Sequence, residues 1–198
     1  PFEVGQSANV EGVYGGSAND TLDGNAADNT FSGGAGNDAI KGLGGTDTII
    51  STFSGNATLS NSNLSANGSD SLNSIELAHL TGSDDANTIT ASSFSGSTTV
   101  IAGGGDDNVS TGGSDDVIDL GDGNNTANAG GGNNVVTSGA GNDNVTTGSG
   151  TDVITTGDGD DVVSAGGGDD SINVGSGSDA ANGGDGNDHY VLSIGGAD

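Results

Sequence analysis

The sequence contains no cysteine, no methionine and no tryptophan, and aromatic residues make up only 3% of its 198 residues. Without cysteine the chain can form neither a disulfide framework nor a thiolate metal site. The shortage of large side chains, together with 41 glycines, excludes the core of an ordinary globular domain. The composition therefore favours a repetitive architecture built from small residues.

Positive charge is almost absent as well. Lys41 is the one lysine or arginine, against 28 aspartates and glutamates, so the formal net charge is −27 at pH 7. Such a chain repels nucleic acid and anionic membranes, and it attracts cations. No apolar run is long enough to span a bilayer. We therefore expect no nucleic-acid partner and no membrane insertion.

A strict nine-residue repeat runs from Ala102 to Val191. In its ten rows glycine fills the second place every time, and the fourth place in every row except the one that carries Ser114. The sixth place is always Asp or Asn, and the eighth is a small or branched apolar residue such as Val109 or Ile118. Four rows between Gly15 and Ile50 keep Asp or Asn at the sixth place and an apolar residue at the eighth, with glycine less regular at the second and fourth places. A period this strict predicts one structural unit repeated along the chain.

Each row has the composition of a tight turn followed by a short strand. Glycines two apart permit positive φ, so the first six residues suit a turn whose carbonyl groups face inward. The last three suit a strand, in which the eighth place and the first place of the next row share a face. Two rows then close a flattened coil of 18 residues, and coils stacked about 4.8 Å apart pair as parallel strands. The pattern predicts an all-β fold, a parallel β-roll or β-solenoid.

The core of such a roll is too thin to hold the fold alone. Small eighth-place side chains bury little area, ordering the backbone is costly, and stacked sixth-place carboxylates repel one another. Ca²⁺ binds about six to eight oxygens from carboxylates and backbone carbonyls, so it supplies the missing stabilisation and removes the repulsion. We predict several Ca²⁺ ions in the turns and folding that is coupled to calcium. The predicted metal ligands are the sixth-place aspartates: Asp20, Asp38, Asp47, Asp107, Asp116, Asp143, Asp152, Asp161, Asp170, Asp179 and Asp188.

The rows resemble the G-G-x-G-x-D-x-U-x nonapeptide of RTX, or haemolysin-type, calcium-binding proteins, over about two thirds of the chain. They depart from it at the first place, where nine rows of the main block carry Ala, Thr, Leu, Ser or Val instead of Gly. The run from Ser71 to Asp107 also resembles a block that often separates such rows in giant secreted bacterial proteins. The resemblance implies a protein of the large secreted surface or adhesin kind, exported unfolded by type I secretion and folded by calcium outside the cell.

The chain divides into five predicted segments: a lead-in strand at 1–14, a first repeat block at 15–50, a Ser- and Asn-rich solenoid segment with few calcium motifs at 51–101, the main block at 102–191, and a tail at 192–198. Because the sequence begins at Pro1 and the repeats start almost at once, we expect it to be part of a longer protein. Two interpretations of 51–101 stay open: one continuous solenoid, or two rolls joined by a looser segment.

No group suited to catalysis stands out. His79 and His189 are the only histidines and are not paired in the sequence, so we interpret them as surface side chains. Serine is abundant, but no G-x-S-x-G elbow occurs on a suitable scaffold. Aspartates in the first, third and fifth places, such as Asp122 and Asp158, are interpreted mostly as solubilising the surface. We expect no enzymatic activity and no cofactor besides calcium.

Three functions remain after these exclusions. The first is a calcium-rigidified structural module of a bacterial surface layer, sheath, filament or adhesin, with other copies or other surface proteins as partners. The second is the calcium-triggered folding and secretion domain of a type I-secreted enzyme or toxin. The third is recognition of a surface such as ice or glycan by a flat ladder. Thr137 and Thr155 stack one coil apart, but Asp119 and Asn173 interrupt that row, so we favour the first.

Overall fold

The computed structural model describes residues 3–4 and 11–191, which form strands and turns without a helix. Most of the predicted lead-in at 1–14 and all of the tail at 192–198 lie outside these residues. No helix in the described part could cross a membrane. In chain order the strands are β1 (Glu3–Val4), β2 (Gly12–Tyr14), β3 (Thr21–Asp23), β4 (Thr30–Ser32), β5 (Ala39–Lys41), β6 (Thr48–Thr52), β7 (Ala57–Ser60), β8 (Asn63–Ser65), β9 (Ser69–Asn73), β10 (Leu77–Thr81), β11 (Thr88–Ser93), β12 (Ser97–Ile101), β13 (Asn108–Ser110), β14 (Val117–Asp119), β15 (Thr126–Asn128), β16 (Val135–Thr137), β17 (Asn144–Thr146), β18 (Val153–Thr155), β19 (Val162–Gly167), β20 (Ser171–Asn173), β21 (Ala180–Asp185) and β22 (His189–Val191).

The strands form two sheets that face each other across a narrow core. The first sheet has 12 strands in the order β1-β3-β5-β9-β8-β7-β11-β13-β15-β17-β19-β21. The second has 10 strands in the order β2-β4-β6-β10-β12-β14-β16-β18-β20-β22. Strands pair in parallel throughout both sheets, except where β8 lies antiparallel to β7 and β9. The predicted parallel β-solenoid is therefore confirmed.

In the main block each strand pairs with the strand one coil, or two rows, further along the chain. Asn108 pairs with Thr126, and Thr126 pairs with Asn144, so equivalent residues are 18 apart. In the first seven rows the sixth and eighth places are buried and the seventh is exposed, as at Asp143, Asn144 and Val145. Burial decreases in the last rows, where Asp188 is half-buried and Tyr190 is exposed. The first place is also inside: Leu120 is 0% exposed. The predicted inward direction of the eighth and first places is confirmed.

Threonines at the first place are buried together with their hydroxyl groups. The Thr111 hydroxyl donates a hydrogen bond to the Ala129 carbonyl at 3.0 Å, and the Thr147 hydroxyl donates to the Ala165 carbonyl at 2.7 Å. Each acceptor is the first-place residue one coil further along. Because the hydroxyls are satisfied inside the core, their burial is tolerated. The departure from glycine at the first place thus adds a bond between successive coils.

The regular coil changes between Ala57 and Asn73. Here β7, β8 and β9 form an antiparallel meander inside the first sheet, and Leu59 pairs with Leu64 across it. Both leucines are buried in the common core. Their burial explains why apolar residues recur in this polar segment.

The meander lengthens the coils around it. The register from β5 to β9 spans 32 residues, that from β6 to β10 spans 29, and that from β11 to β13 spans 20, before the spacing of 18 returns. Both sheets nevertheless run through the segment without a break. Of the two interpretations of 51–101, the structure shows the continuous solenoid, with coils that are not uniformly 18 residues long.

Candidate calcium-binding turns

The sixth-place side chains form a ladder along each edge of the roll, where the turns stack. In each step the backbone N–H of one sixth-place residue donates to Oδ1 of the sixth-place residue in the next coil. Asp143 donates to Asp161 at 2.9 Å, and Asp152 donates to Asp170 at 2.8 Å. The predicted pairing of sixth places 18 residues apart is therefore present. One oxygen of each carboxylate is committed to this contact between coils.

The other oxygen, Oδ2, is buried without a hydrogen-bond partner in eight of the eleven predicted ligands: Asp38, Asp47, Asp107, Asp116, Asp143, Asp152, Asp161 and Asp170. In Asp20 that oxygen accepts the Gly16 N–H at 2.8 Å. Asp179 and Asp188 lie at the last described turns and are only half-buried. A buried carboxylate oxygen without a donor is costly unless a cation faces it.

Burial shifts the ionisation of these side chains. Desolvation raises the pKa of five sixth-place aspartates above the ordinary value of 3.8, because it penalises the ionised form: Asp47, Asp107, Asp116, Asp143 and Asp170. In each case a backbone N–H bonded to the carboxylate opposes the shift and a neighbouring acid adds to it. The Ser138 hydroxyl also opposes the shift at Asp143, and the Thr111 hydroxyl and the Gly112 N–H oppose it at Asp116. The protein alone therefore compensates the charges of its turns only in part.

Asparagine at the sixth place shows what the unpartnered oxygen faces. The Asn125 Oδ1 accepts the Asp107 N–H at 2.8 Å, as an aspartate would. Its amide nitrogen, Nδ2, donates to the carbonyl oxygens of Gly121 and Gly123 at 3.3 and 3.2 Å. The amide of Asn134 contacts the carbonyl of Gly132 in the same way, at 3.1 Å.

An aspartate with the side-chain arrangement of Asn125 or Asn134 would turn Oδ2, rather than an N–H, towards the carbonyls of its own turn. The turns of Asp20, Asn29 and Asn87 differ, because there a side-chain oxygen accepts a backbone N–H of the same turn. Oxygens that converge without a hydrogen between them repel one another and suit a hard cation. Within the described residues no three His, Asp or Glu side chains are grouped as a metal site. A Ca²⁺ ion here would thus be held by few carboxylates and by several backbone carbonyls, and the aspartate rows fit that demand.

Acids outside the sixth place also have structural contacts, which corrects their interpretation as surface solubilisers. The Asp122 carboxylate accepts the Ala140 N–H at 2.9 Å, and the Ser176 hydroxyl donates to Asp158. Fifth places do the same: the Asp106 carboxylate accepts the Asn124 N–H at 2.8 Å. Asp122 and Asp106 accept backbone N–H groups of the following coil and Asp158 accepts a hydroxyl group there, so these side chains help to hold successive turns together.

Two acids that the nine-residue pattern did not identify continue the ladders. Asp70 accepts the Asp38 N–H at 2.9 Å through Oδ1, and Glu76 accepts the Asp47 N–H at 2.9 Å through Oε2. They lie 32 and 29 residues from their partners because the meander lengthens these coils. No spacing in the sequence reveals this, since the offsets depend on how the meander folds.

The two histidines and the threonine row were also considered as candidate functional residues. His189 is exposed and His79 is half-buried. Asp119, Thr137, Thr155 and Asn173 stack in that order on the outer face of the second sheet, so the threonine row is interrupted as expected.

Comparison with known families agrees with this geometry. A family model described as the RTX calcium-binding nonapeptide repeat matches four times, at residues 14–49, 92–127, 121–154 and 155–190, which is most of the chain. A search of curated proteins finds no match. The matched segments contain the predicted sixth-place aspartates, whereas Asp70 and Glu76 fall between the matches. The chain therefore belongs to the RTX calcium-binding nonapeptide repeat family, and its fold is a calcium-binding β-roll.

Proposed function

We propose that the chain is a structural module that calcium makes rigid within a large secreted bacterial protein, such as a surface layer, sheath, filament or adhesin. In this proposal it has no catalytic activity of its own, and its protein partners are other copies or other surface proteins. The main observation in support is the row of eight buried Oδ2 atoms without a partner, spread from Asp38 to Asp170. A cation facing each of them would act along most of the described solenoid.

The position of these oxygens makes calcium a link between coils. Each sixth-place side chain already bonds to the backbone of the neighbouring coil, as Asp161 does to Asp143. An ion that binds its second oxygen together with turn carbonyls would hold both turns at once. Because such steps repeat along both edges, ion binding would stiffen the solenoid along its axis.

The need for calcium also indicates the compartment in which the module would fold. Calcium-binding modules of extracellular proteins have dissociation constants of roughly 10⁻⁴ to 10⁻³ M. Sites in that range stay empty in a cytosol and fill outside the cell. A chain with net charge −27 that remains unfolded until calcium neutralises its turns suits export before folding.

Single-molecule force spectroscopy tests the mechanical role directly. With calcium we expect a folded solenoid roughly 50 Å long, from about ten coils spaced about 4.8 Å apart, that resists force. With EDTA we expect extension at much lower force, and excess Mg²⁺ should not replace Ca²⁺ because it needs a smaller octahedral site. Equal resistance with Ca²⁺ and with EDTA would overturn the proposal.

The neighbouring sequence in the intact gene separates the two leading functions. Further repeats of the same kind support a rod. A protease or lipase domain in the same protein would instead support the calcium-triggered folding and secretion domain of an exported enzyme or toxin.

A further inference from the structure

Asp47 carries an unpartnered oxygen at a place where the repeat pattern has lapsed. The side chain is 0% exposed; its Oδ1 accepts the Asn29 N–H at 2.8 Å, and its Oδ2 has no hydrogen-bond partner. In a regular roll the next sixth-place residue would lie 18 positions on, at Ser65, which cannot supply a carboxylate. The structure instead places Glu76 in that position, 29 residues on, where its Oε2 accepts the Asp47 N–H at 2.9 Å.

A backbone carbonyl faces the same point as the buried oxygen. A Cβ atom added to Gly42 would lie 2.0 Å from the Ser74 carbonyl oxygen and 2.1 Å from Asp47 Oδ2. Only glycine at this position therefore permits the Ser74 carbonyl oxygen and Asp47 Oδ2 to lie so close together beside the backbone. Ser74 has a φ of 54°, in the left-handed region. This backbone conformation contributes to the direction in which the Ser74 carbonyl points.

No protein cation serves these two oxygens. Lys41, the one lysine or arginine of the chain, lies 3.6 Å from Asp23, in the one ion pair found among the described residues. Desolvation raises the pKa of Asp47, and repulsion from Glu76 and Asp28 adds to the shift. The unpartnered oxygen thus lies among acids without a compensating charge.

We propose that Asp47, the Ser74 carbonyl and Glu76 form a calcium site in which Glu76, a residue outside the nonapeptide rows, takes the place of the next sixth-place carboxylate. All its ligands are oxygens of the kinds that Ca²⁺ binds in a flexible shell, and the exposed side of Glu76 leaves room for water to complete it. The inference rests on the calcium binding of the RTX turns in the proposed function, but it assigns a ligand that no repeat contains.

The proposed site lies where the segment that contains the meander returns to the regular coils. Glu76 and Leu77 donate their backbone N–H groups to the Asp47 carbonyl at 3.0 and 2.9 Å, so the turn before β10 already lies against the end of the second coil. An ion that binds both Asp47 and Glu76 would stabilise this contact between the turn and the second coil. It would keep β10 in register with β6 despite the 29-residue connection.

Counting bound ions tests the site. We would compare the full chain with Glu76→Gln and with the matched control Glu11→Gln, using native mass spectrometry at saturating Ca²⁺ and calorimetric titration. The amide introduced by Glu76→Gln keeps an oxygen that can accept the Asp47 N–H, so the fold should persist, as circular dichroism can check. Glu76→Gln should bind one Ca²⁺ ion fewer, and Glu11→Gln, which removes an equal charge from an exposed residue, should bind the wild-type number.

A second variant and a second measurement guard against ambiguous results. Asp47→Asn should lose the same ion, and the double variant should lose no additional ion, because the two side chains share it. If Glu76→Gln does not fold, hydrogen exchange on Asp47→Asn and on the wild-type chain, both with calcium, decides: amides at 74–77 should lose protection in the variant, and unchanged exchange there would overturn the inference.

The two proposals fail in different ways. Wild-type ion count and affinities in Glu76→Gln would overturn this inference, while calcium-dependent stiffness of the wild-type chain would still support the structural module. A wild-type chain that neither binds calcium nor stiffens with it would overturn both.

Discussion

At the scale of single residues, one atom decides whether a turn needs an ion. At Asn125 and Asn134 the side-chain amide donates to turn carbonyls, whereas the Oδ2 atoms of Asp143 and Asp152, the next residues of the same ladders, have no hydrogen-bond partner. The Asn125 turn therefore satisfies its own carbonyls, whereas the Asp143 turn has a buried oxygen left over. Ion demand should thus follow the choice of residue along the ladder.

The substitution Asn125→Asp should convert a turn whose carbonyls accept hydrogen bonds from the Asn125 amide into a turn that needs calcium. In EDTA it replaces two N–H···O contacts by oxygen–oxygen repulsion, so we expect the folded state to lose about 1 to 3 kcal/mol. With calcium it should bind one more ion and recover that loss. Ion counting by native mass spectrometry and urea unfolding in both conditions measure the two effects.

Asn133→Asp is the matched control, because it adds the same charge at an exposed fifth place. The new carboxylate can still accept the Thr151 N–H that Asn133 now accepts. We expect no change in ion count. An extra ion in this control, or none in Asn125→Asp, would show that net charge rather than the position of Oδ2 governs binding.

At the scale of the elements, the turn sets the distance between coils. Gly123 has a φ of 128°, and a Cβ atom there would lie 2.0 Å from the carbonyl oxygen of Gly105 in the previous coil. Fourth-place glycines therefore permit both the backbone conformation and the close approach of stacked turns. The three-residue strands that follow are too short to impose this spacing themselves.

Gly123→Ala should therefore destabilise the roll, by at least the roughly 1 to 3 kcal/mol that a strained left-handed residue costs. The added methyl group also pushes against a backbone carbonyl, which cannot rotate away. Gly113→Ala is the control, since a Cβ atom there meets nothing within 4 Å and its φ is not in the left-handed region. It should change stability by about 1 kcal/mol at most. Thermal unfolding at saturating calcium compares them, and equal losses would contradict the role of the turn.

Elements inside the repeat could be predicted from the sequence, and those outside it could not. The rows from Ala102 to Val191 predict the strands, the buried positions and the pairing of sixth places, because each row packs against rows of the same sequence pattern. Between Ala57 and Asn73 no period exists, and an antiparallel meander forms because Leu59 and Leu64 can both reach the core. Asp70 and Glu76 were missed for the same reason.

At the scale of the whole molecule, charge and stability are inseparable. The net charge is −27, and the described part contains a single ion pair, between Lys41 and Asp23, which lies at the surface. The core between the two sheets is narrow, and its fully buried side chains are aliphatic residues and alanines, with Phe31 as the largest. Cations must therefore provide both neutralisation and cohesion, so the stability of the whole solenoid should respond to pH as well as to calcium.

Lowering the pH should promote folding in EDTA and oppose calcium binding. Desolvation raises the folded-state pKa of Asp107, Asp116 and Asp143 above the ordinary 3.8. Between these values the folded chain binds more protons than the unfolded chain, so its stability falls as pH rises. The stabilisation is complete below about 3.8 and is lost as pH rises through the raised values. β content in EDTA, followed by circular dichroism, should increase on acidification.

With calcium present the sign reverses, because protons and Ca²⁺ compete for the same Oδ2 atoms. The calcium concentration at half-folding should rise as pH falls through the raised pKa values, and protons should be released when calcium binds. Asp143→Asn should weaken both trends, whereas Asp84→Asn, which removes one exposed charge, should leave them nearly unchanged. Titrations at several pH values, in buffers of different ionisation enthalpy, count the protons. Calcium binding without proton release just above pH 3.8 would mean that the ions do not reach the buried carboxylates.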